Sequence, residues 1–382
     1  MTLNRDVYVV AVGMDRFGGD AAPLGQRAIA AAHAAMADGP VDYKSVEKLY
    51  LGTVLSQPMF GVDVVKDLGL TGIPVVRVEN ASATGAAAFH EAVHAVAGEQ
   101  VDVAMALGFD DPASVGGFNS FRAGVPVIES AITPAAFFAM WGVRRMADHG
   151  TTLETLAKIA AKNWNNARLN PCAERQSDRA ITAEDVLKSR MLAYPHTARM
   201  AAPMGAGAAA VIVASECGLA SLGLRPTVKV RAAQAVSERY VDGHLFSGAI
   251  VGPPEMARRA AYAAYEESGI GPDELSLVAV HDAYAIEELL YYEEIGLCEP
   301  GDGDRMVHDG HTELGGRIPV STDGGFIGRG HPGGATGLAQ IWELTLQLRG
   351  TAGARQVRDP EHGLAHIVGA GSVCYTHLLS AV

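Results

Sequence analysis

The sequence predicts an α/β protein of two similar halves, with helices sandwiched between two sheets and a helical insertion in the first half. Three observations lead there. Apolar runs alternate between strand-like and helix-like periods, which indicates βαβ units and a mostly parallel sheet. Two such series, one on either side of the insertion, share a single format of strand, helix, strand, helix and a Gly-containing hairpin. Both central helices, near 84–97 and 333–348, are rich in Ala and Gly, which suits a layer packed closely between sheets.

The elements follow in order. "VYVVAVG" reads as a buried strand, "QRAIAAAHAAMA" as a helix, and "VEKLYLGTVL" and "IPVVRV" as strands. A helix runs from Thr84 to Ala97, and "VDVAMALGF" is the next strand. From Asp110 to about Met200 the texture changes to Trp, Asn and Arg ("AAFFAMWGVRRMADHG", "KNWNNARLNP"), as expected of helices and loops inserted over the sheet. "GAGAAAVIVAS" resumes the strand pattern and closes a first half of residues 1–225. In residues 226–382, "TVKVRAAQAV" and "LSLVAVHDA" read as strands, and "PPEMARRAAYAAYEESG" and "YAIEELLYYEEIGL" as helices. "HPGGATGLAQIWELTLQLRG" is a Gly-rich turn entering a long helix, and "GLAHIVGAGSVCYTHLLSAV" reads as a closing hairpin.

Composition excludes several classes. With 48% apolar and 19% charged residues, 382 residues have ample material for a core. A net charge of −13 argues against nucleic acid or an anionic membrane as the main partner. The longest apolar stretch is too short to span a bilayer. Cys172, Cys217, Cys298 and Cys374 are far apart and form no CxxC pair, so neither a metal site nor a disulfide framework is expected. No leader is apparent before the first strand, and the expected compartment is the cytoplasm.

The candidate chemistry lies at turns. In "VENASATGAAAFHEAVHAV" a β-branched run stops at Asn80 and turns sharply into the Ala-rich helix, leaving Ser82 at the helix start beside unpaired N–H groups. A serine there also suits a helix N-cap. His281 and Asp282 end a strand, His331 precedes a Gly-rich helix start, and His366 ends the strand before "VGAG". Each alone reads equally as a satisfied structural residue. "HDGH" at His308–His311 has metal-like spacing but a loop setting, so a solvated turn is expected. "GGFIGRGHPGG" lacks the order of a phosphate or dinucleotide loop.

Taken together these blocks resemble the thiolase superfamily, and within it the sterol carrier protein x branch. "NASATG" resembles the thiolase nucleophile turn, with Ser82 where the family has its cysteine. "HDAY" is similar to the branch's HD-x-F block, with Tyr284 in the place of Phe. "GRGHPGGATG" resembles the Gly-His-Pro block, and "AHIVGAG" the terminal block, where this branch carries His. "PMGAGAAAVIVAS" resembles the central hairpin, with Ala206 where Asp is usual. The resemblance spans essentially the whole chain. It implies a five-layered αβαβα fold, a coenzyme A thioester as substrate with no covalently bound cofactor, and a site of His281, His331, His366, Tyr284 and Ser82. Asp282, Val368 and Gly369 would support it, with one oxyanion site at His281 and His331 and another at the N–H groups of the Ser82 turn and the Val368 region. Gly330, Gly333 and Gly334 would contact the CoA moiety.

Serine is a far poorer nucleophile than a thiolate and needs a coupled base. Three readings follow. The first is retro-aldol cleavage of a β-hydroxyacyl-CoA without a cysteine acyl-enzyme, as in cysteine-less relatives that work with a small zinc-ribbon/OB-fold partner. The second is acyl transfer on a β-ketoacyl-CoA, and the third a non-catalytic acyl-CoA-binding subunit. The resemblance implies either a homodimer or a heterotetramer containing such a partner.

Overall fold

The computed structural model describes residues 3–18, 22–57, 59–112, 133–239, 255–369 and 373–382. The first part of the expected insertion (113–132) and the turn of the closing hairpin (370–372) lie outside the described residues. The first half runs β1 (Val7–Met14), α1 (Leu24–Asp38), β2 (Lys48–Gly52), α2 (Phe60–Leu68), β3 (Val75–Val78), α3 (Thr84–Ala97) and β4 (Val103–Asp110). The insertion supplies α4 (Pro134–His149), α5 (Leu153–Ala167), α6 (Ala183–Leu187) and a small ribbon of β5 (Met191–Ala193) and β6 (His196–Thr197). β7 (Gly207–Ala214) and α7 (Glu216–Leu222) follow. The second half comprises β8 (Val228–Ser237), α8 (Glu255–Ser268), β9 (Leu277–Ala279), α9 (Ala285–Glu294), α10 (Gly303–His308), α11 (Gly325–Arg329), α12 (Gly333–Leu348), β10 (His362–Gly369) and β11 (Val373–Ala381).

The sheet order is β3-β2-β4-β7-β1-β8-β11-β10-β9. β2 is parallel to β3 and β4, and β10 is parallel to β9, while the other neighbours are antiparallel. Here one expectation needs correction. The halves do not form two separate sheets, because Val7–Val9 pair antiparallel with Val228–Val230 and join them into one. The layering is nevertheless the expected αβαβα. Ala28, Ala31 and Ala32 of α1 pack on the outer face of the first half against Leu49, Met105 and Ile212. Ala260 and Ala264 of α8, with Ile286 and Leu289 of α9, cover the outer face of the second half. Between them, α3 and α12 share a core with residues of both halves, including Val9, Ala106, Val211, Val230, Ala279 and Ala365.

The small residues of the central helices have a steric cause. A Cβ on Gly85 would sit 2.7 Å from the Gly334 carbonyl oxygen, and one on Gly337 would sit 2.3 Å from the Ala86 nitrogen. Backbone meets backbone where α3 and α12 cross, so side chains are excluded there. That crossing brings the two helix N-termini together, and with them Ser82 and His331.

Candidate active site

The Ser82 turn is built locally. Asn80 N–H is capped by Thr84 Oγ1 (2.8 Å), and Ala83 N–H donates to the Asn80 carbonyl (3.0 Å). Ala81 is held at φ 48°, a left-handed conformation that a small side chain tolerates best. The Asn80 amide donates to Tyr375 Oη (2.9 Å), tying the turn to β11, and a Cβ on Gly369 would lie 2.4 Å from the Asn80 carbonyl oxygen. Ser82 is half-buried at the start of a buried helix, whose positive end favours developing negative charge.

His331 meets Ser82 from the other half. Its Nε2 lies 3.1 Å from Ser82 Oγ, and its Nδ1 lies 2.9 Å from Thr336 Oγ1. The Thr336 hydroxyl donates to the Pro332 carbonyl (2.7 Å), so towards His331 it accepts. The hydrogen-bond network therefore assigns the proton of His331 to Nδ1, leaving Nε2 as acceptor for the Ser82 hydroxyl. Burial, aided by Arg329, lowers the His331 pKa to about 3, which keeps the ring neutral.

His281 has the opposite tautomer. Val368 N–H donates to His281 Nδ1 (3.1 Å), so Nε2 carries the proton. Glu287 Oε1 lies 3.6 Å from that nitrogen, beyond hydrogen-bond range, and the donor is not committed there. Burial, helped by His331 and His366, holds the His281 pKa well below its usual value. The two rings are 5.9 Å apart, and Phe326 contacts both, stacked on His331 (4.7 Å, 15°) and tilted against His281 (4.7 Å). Phe326 is itself placed by Asp282, whose buried carboxyl accepts from Phe326 N–H (2.7 Å), Ile327 N–H (3.3 Å) and Asn163 Nδ2 (2.8 Å). Burial and neighbouring Glu288 push the Asp282 pKa well above the usual carboxylate range.

Several expected roles change. His366 does not join the pocket. It shares a face of β10 with Leu364 and Val368, and packs its ring 4.5 Å from that of Tyr291 on α9. Strand alternation turns Ile367 inward towards Ala83 and Phe326 and His366 outward. The Tyr284 ring lies tilted against Phe138 (4.9 Å) and His196 (5.2 Å) of the insertion. The Val368 N–H is committed to His281 and is unavailable to an oxyanion. Gly334 N–H is bound by Asp110 Oδ2, and Cβ atoms on Gly330 and Gly333 would meet Glu174 (2.8 Å) and Val54 (3.1 Å). Each of these glycines is closely packed against protein atoms. The HDGH segment is the exposed turn expected, with 309–312 in turn conformation and His308 and Asp309 exposed, and His308 at the end of α10 is also bonded to Thr155 Oγ1 (3.0 Å) and Lys158 Nζ (3.0 Å) of α5.

Residues not singled out from sequence complete the site. Besides Thr336, Phe326 and Glu287, the polar face of α5 holds the segment that leads to His331. Lys162 Nζ donates to Val320 O (2.8 Å), Asn166 to Ser321 O (3.1 Å), and Asn170, just past the helix, to Asp323 O (3.1 Å). The Arg329–Asp323 ion pair is buried within the same segment. The cysteines lie elsewhere: Cys217 is exposed on α7, Cys298 and Cys172 are in loops, and Cys374 faces the outer core of the second half.

Residues 7–184 match the family model of the thiolase N-terminal domain, and residues 250–380 that of the thiolase C-terminal domain-like family. The benzoylsuccinyl-CoA thiolase subunit BbsB of Thauera aromatica is 35% identical over 378 residues, covering 97% of this chain and 96% of that one. The chain belongs to the thiolase family. Within that family, sterol carrier protein 2 of Bos taurus is 34% identical over 97% of this chain and 71% of its own. The acetyl-CoA acetyltransferase of Methanothermobacter thermautotrophicus is 33% identical over 98% of this chain and all of its own. The fold also matches an Ltp2-ChsH2(DUF35) aldolase (TM-score 0.84, 24% identity, 99% of this chain and 98% of that one). Human mitochondrial 3-ketoacyl-CoA thiolase matches with a TM-score of 0.75 at 17% identity, covering both chains completely. The protein is a thiolase-fold acyl-CoA enzyme. No described helix is long and apolar enough to cross a membrane.

Proposed function

We propose that this thiolase-fold enzyme cleaves a β-hydroxyacyl-CoA by a retro-aldol reaction, with Ser82 standing at the family's nucleophile position. The observation that carries the reading is the pairing of an acceptor histidine with a donor histidine, 5.9 Å between rings, at the N-terminus of α3. A retro-aldol step needs both polarities at once. His331 Nε2 takes the β-hydroxyl proton, the Cα–Cβ bond breaks, and Cβ becomes a carbonyl carbon. The electron pair moves to the thioester oxygen, which His281 Nε2–H and the positive end of α3 stabilise. The proton on His331 then returns to Cα, giving a shortened acyl-CoA and an aldehyde or ketone. Nothing in these steps requires a thiolate.

A second reading, acyl transfer through Ser82, is favoured by the 3.1 Å contact that supplies the serine with a base. One experiment separates them. The enzyme is given β-hydroxyacyl-CoA and β-ketoacyl-CoA with and without free CoA. The lyase reading expects a carbonyl product from the β-hydroxyacyl substrate at full rate without CoA, and strict CoA-dependent cleavage of the β-keto substrate alone contradicts it. We further propose a cytoplasmic dimer, either of this chain alone or with a small partner like that of the aldolase. The exposed valines on edge strand β3 (Val75 and Val76, each 37% exposed) are consistent with a covered edge.

A further inference from the structure

We infer that the Ser82–His331–Thr336 relay also makes the protein an acyl-CoA hydrolase towards thioesters that lack a β-hydroxyl group. The inference rests on the acyl-CoA reading of the site and adds a reaction to it. Three groups are aligned: Ser82 Oγ on His331 Nε2 at 3.1 Å, His331 Nδ1 on Thr336 Oγ1 at 2.9 Å, and Thr336 on the Pro332 carbonyl at 2.7 Å. This is a nucleophile, a base and an orienting group in hydrogen-bond sequence. Ser82 is half-buried, so a thioester carbonyl can reach it, and α3 directs its positive end at the site.

His331 Nε2 has one lone pair, and this decides which reaction runs. A bound β-hydroxyl group takes that lone pair and leaves Ser82 without its base. A thioester with no such hydroxyl leaves the dyad intact. Ser82 Oγ then bonds to the carbonyl carbon as its proton passes to His331. The C–S bond breaks, and the thiolate of CoA leaves with that proton. The resulting oxygen ester lies lower in free energy than a thioester, because oxygen donates into the carbonyl better than sulfur. Return of the acyl group to a thiol is uphill, whereas attack by water remains open. Water gives one proton to His331 and its oxygen to the acyl carbon, Ser82 recovers its proton, and a carboxylic acid departs.

The test uses acetyl-CoA and benzoyl-CoA, neither of which can undergo retro-aldol cleavage, in oxygen-18 water. Expected are equal amounts of CoA and carboxylate, one label per carboxylate per turnover, and an ester on Ser82 in the intact-mass spectrum. Ser82→Ala should slow CoA release at least about 100-fold. Ser82→Cys, which preserves size, should instead lower acid formation and raise exchange of the acyl group into isotopically labelled CoA. Wild-type release no faster than that of Ser82→Ala, or a covalent adduct on another residue, would overturn the inference. β-Hydroxyacyl-CoA cleavage is followed in parallel. Hydrolysis absent while C–C cleavage persists removes only this inference, and the reverse removes only the lyase reading.

Discussion

The turn before α3 and the turn before α12 occupy equivalent places in the two halves, yet they are held very differently. Each follows a segment lying parallel to a neighbouring strand, β3 beside β2 and Val320 beside Val278 of β9, and each starts a central helix. The Ser82 turn is half-exposed and rests on local bonds within Glu79–Thr84, with longer-range contacts to Tyr375, His331 and the Gly369 backbone. The His331 turn is buried and fixed from several sides: by Thr336, by Phe326 through Asp282, by the Arg329–Asp323 pair, and by the polar face of α5. The difference teaches how the labour is divided. The buried half fixes the proton acceptor in one tautomer and one orientation, while the open half leaves room for a ligand.

The comparison breaks most sharply at His331. His331→Ala removes the acceptor, and turnover is expected to fall by about two to four orders of magnitude in a steady-state assay. A loss under tenfold would assign the chemistry elsewhere. Arg329→Ala tests the scaffold of the buried turn, because it removes the ion-pair partner of the buried Asp323 carboxylate. It should destabilise the fold by about 3–5 kcal/mol in urea titration, against almost no change for an exposed pair such as Lys66–Asp63. Thr336→Val removes the acceptor for Nδ1–H while keeping the shape of the helix start. A loss of about 10–100-fold in kcat with little change in KM is expected.

His366→Leu is expected to have the smallest effect. Because the side chain lies in the outer layer, kcat should remain within about threefold of wild type. The informative readout is acid stability. Burial lowers the His366 pKa from its usual 6.5 to about 3. The unfolded chain therefore binds the extra proton first, and stability is present above about pH 6.5 and is lost as pH falls towards about 3. His90, also lowered to about 3, and His196, lowered to about 4, act in the same sense. Denaturation between pH 4 and pH 8 should show a shallower acid-side loss for His366→Leu than for wild type.

Much of this arrangement was legible in the sequence, and its limits have physical causes. Ser82, His281 and His331 mark places where apolar strands stop before helices or Gly-rich turns, and that punctuation is local. Ala and Gly enrichment announced the two crossing helices, because close backbone approach leaves no room for anything larger. His366 was misplaced because a strand-end residue acts on one face only, and a single position of register separates the pocket from the outer layer. Ala283 packs on the cluster of Ala83 and Phe326, while the ring of the adjacent Tyr284 packs on the insertion, a contact that no local pattern announces. The polar residues of α5 gave no signal, since nothing local in "KNWNNARLNP" says that Lys162, Asn166 and Asn170 bond the distant 320–323 segment. The β1–β8 junction is a long-range pairing that no local pattern encodes.

The proposed chemistry needs opposite tautomers in two neighbouring histidines, and nitrogen-15 spectra of the imidazoles at neutral pH test that directly. Signals are assigned by comparison with His281→Gln and His331→Gln. The predicted result is a neutral His331 protonated on Nδ1 beside a neutral His281 protonated on Nε2. The same tautomer in both rings, or either ring doubly protonated, would contradict the division into acceptor and donor from which the reaction was derived.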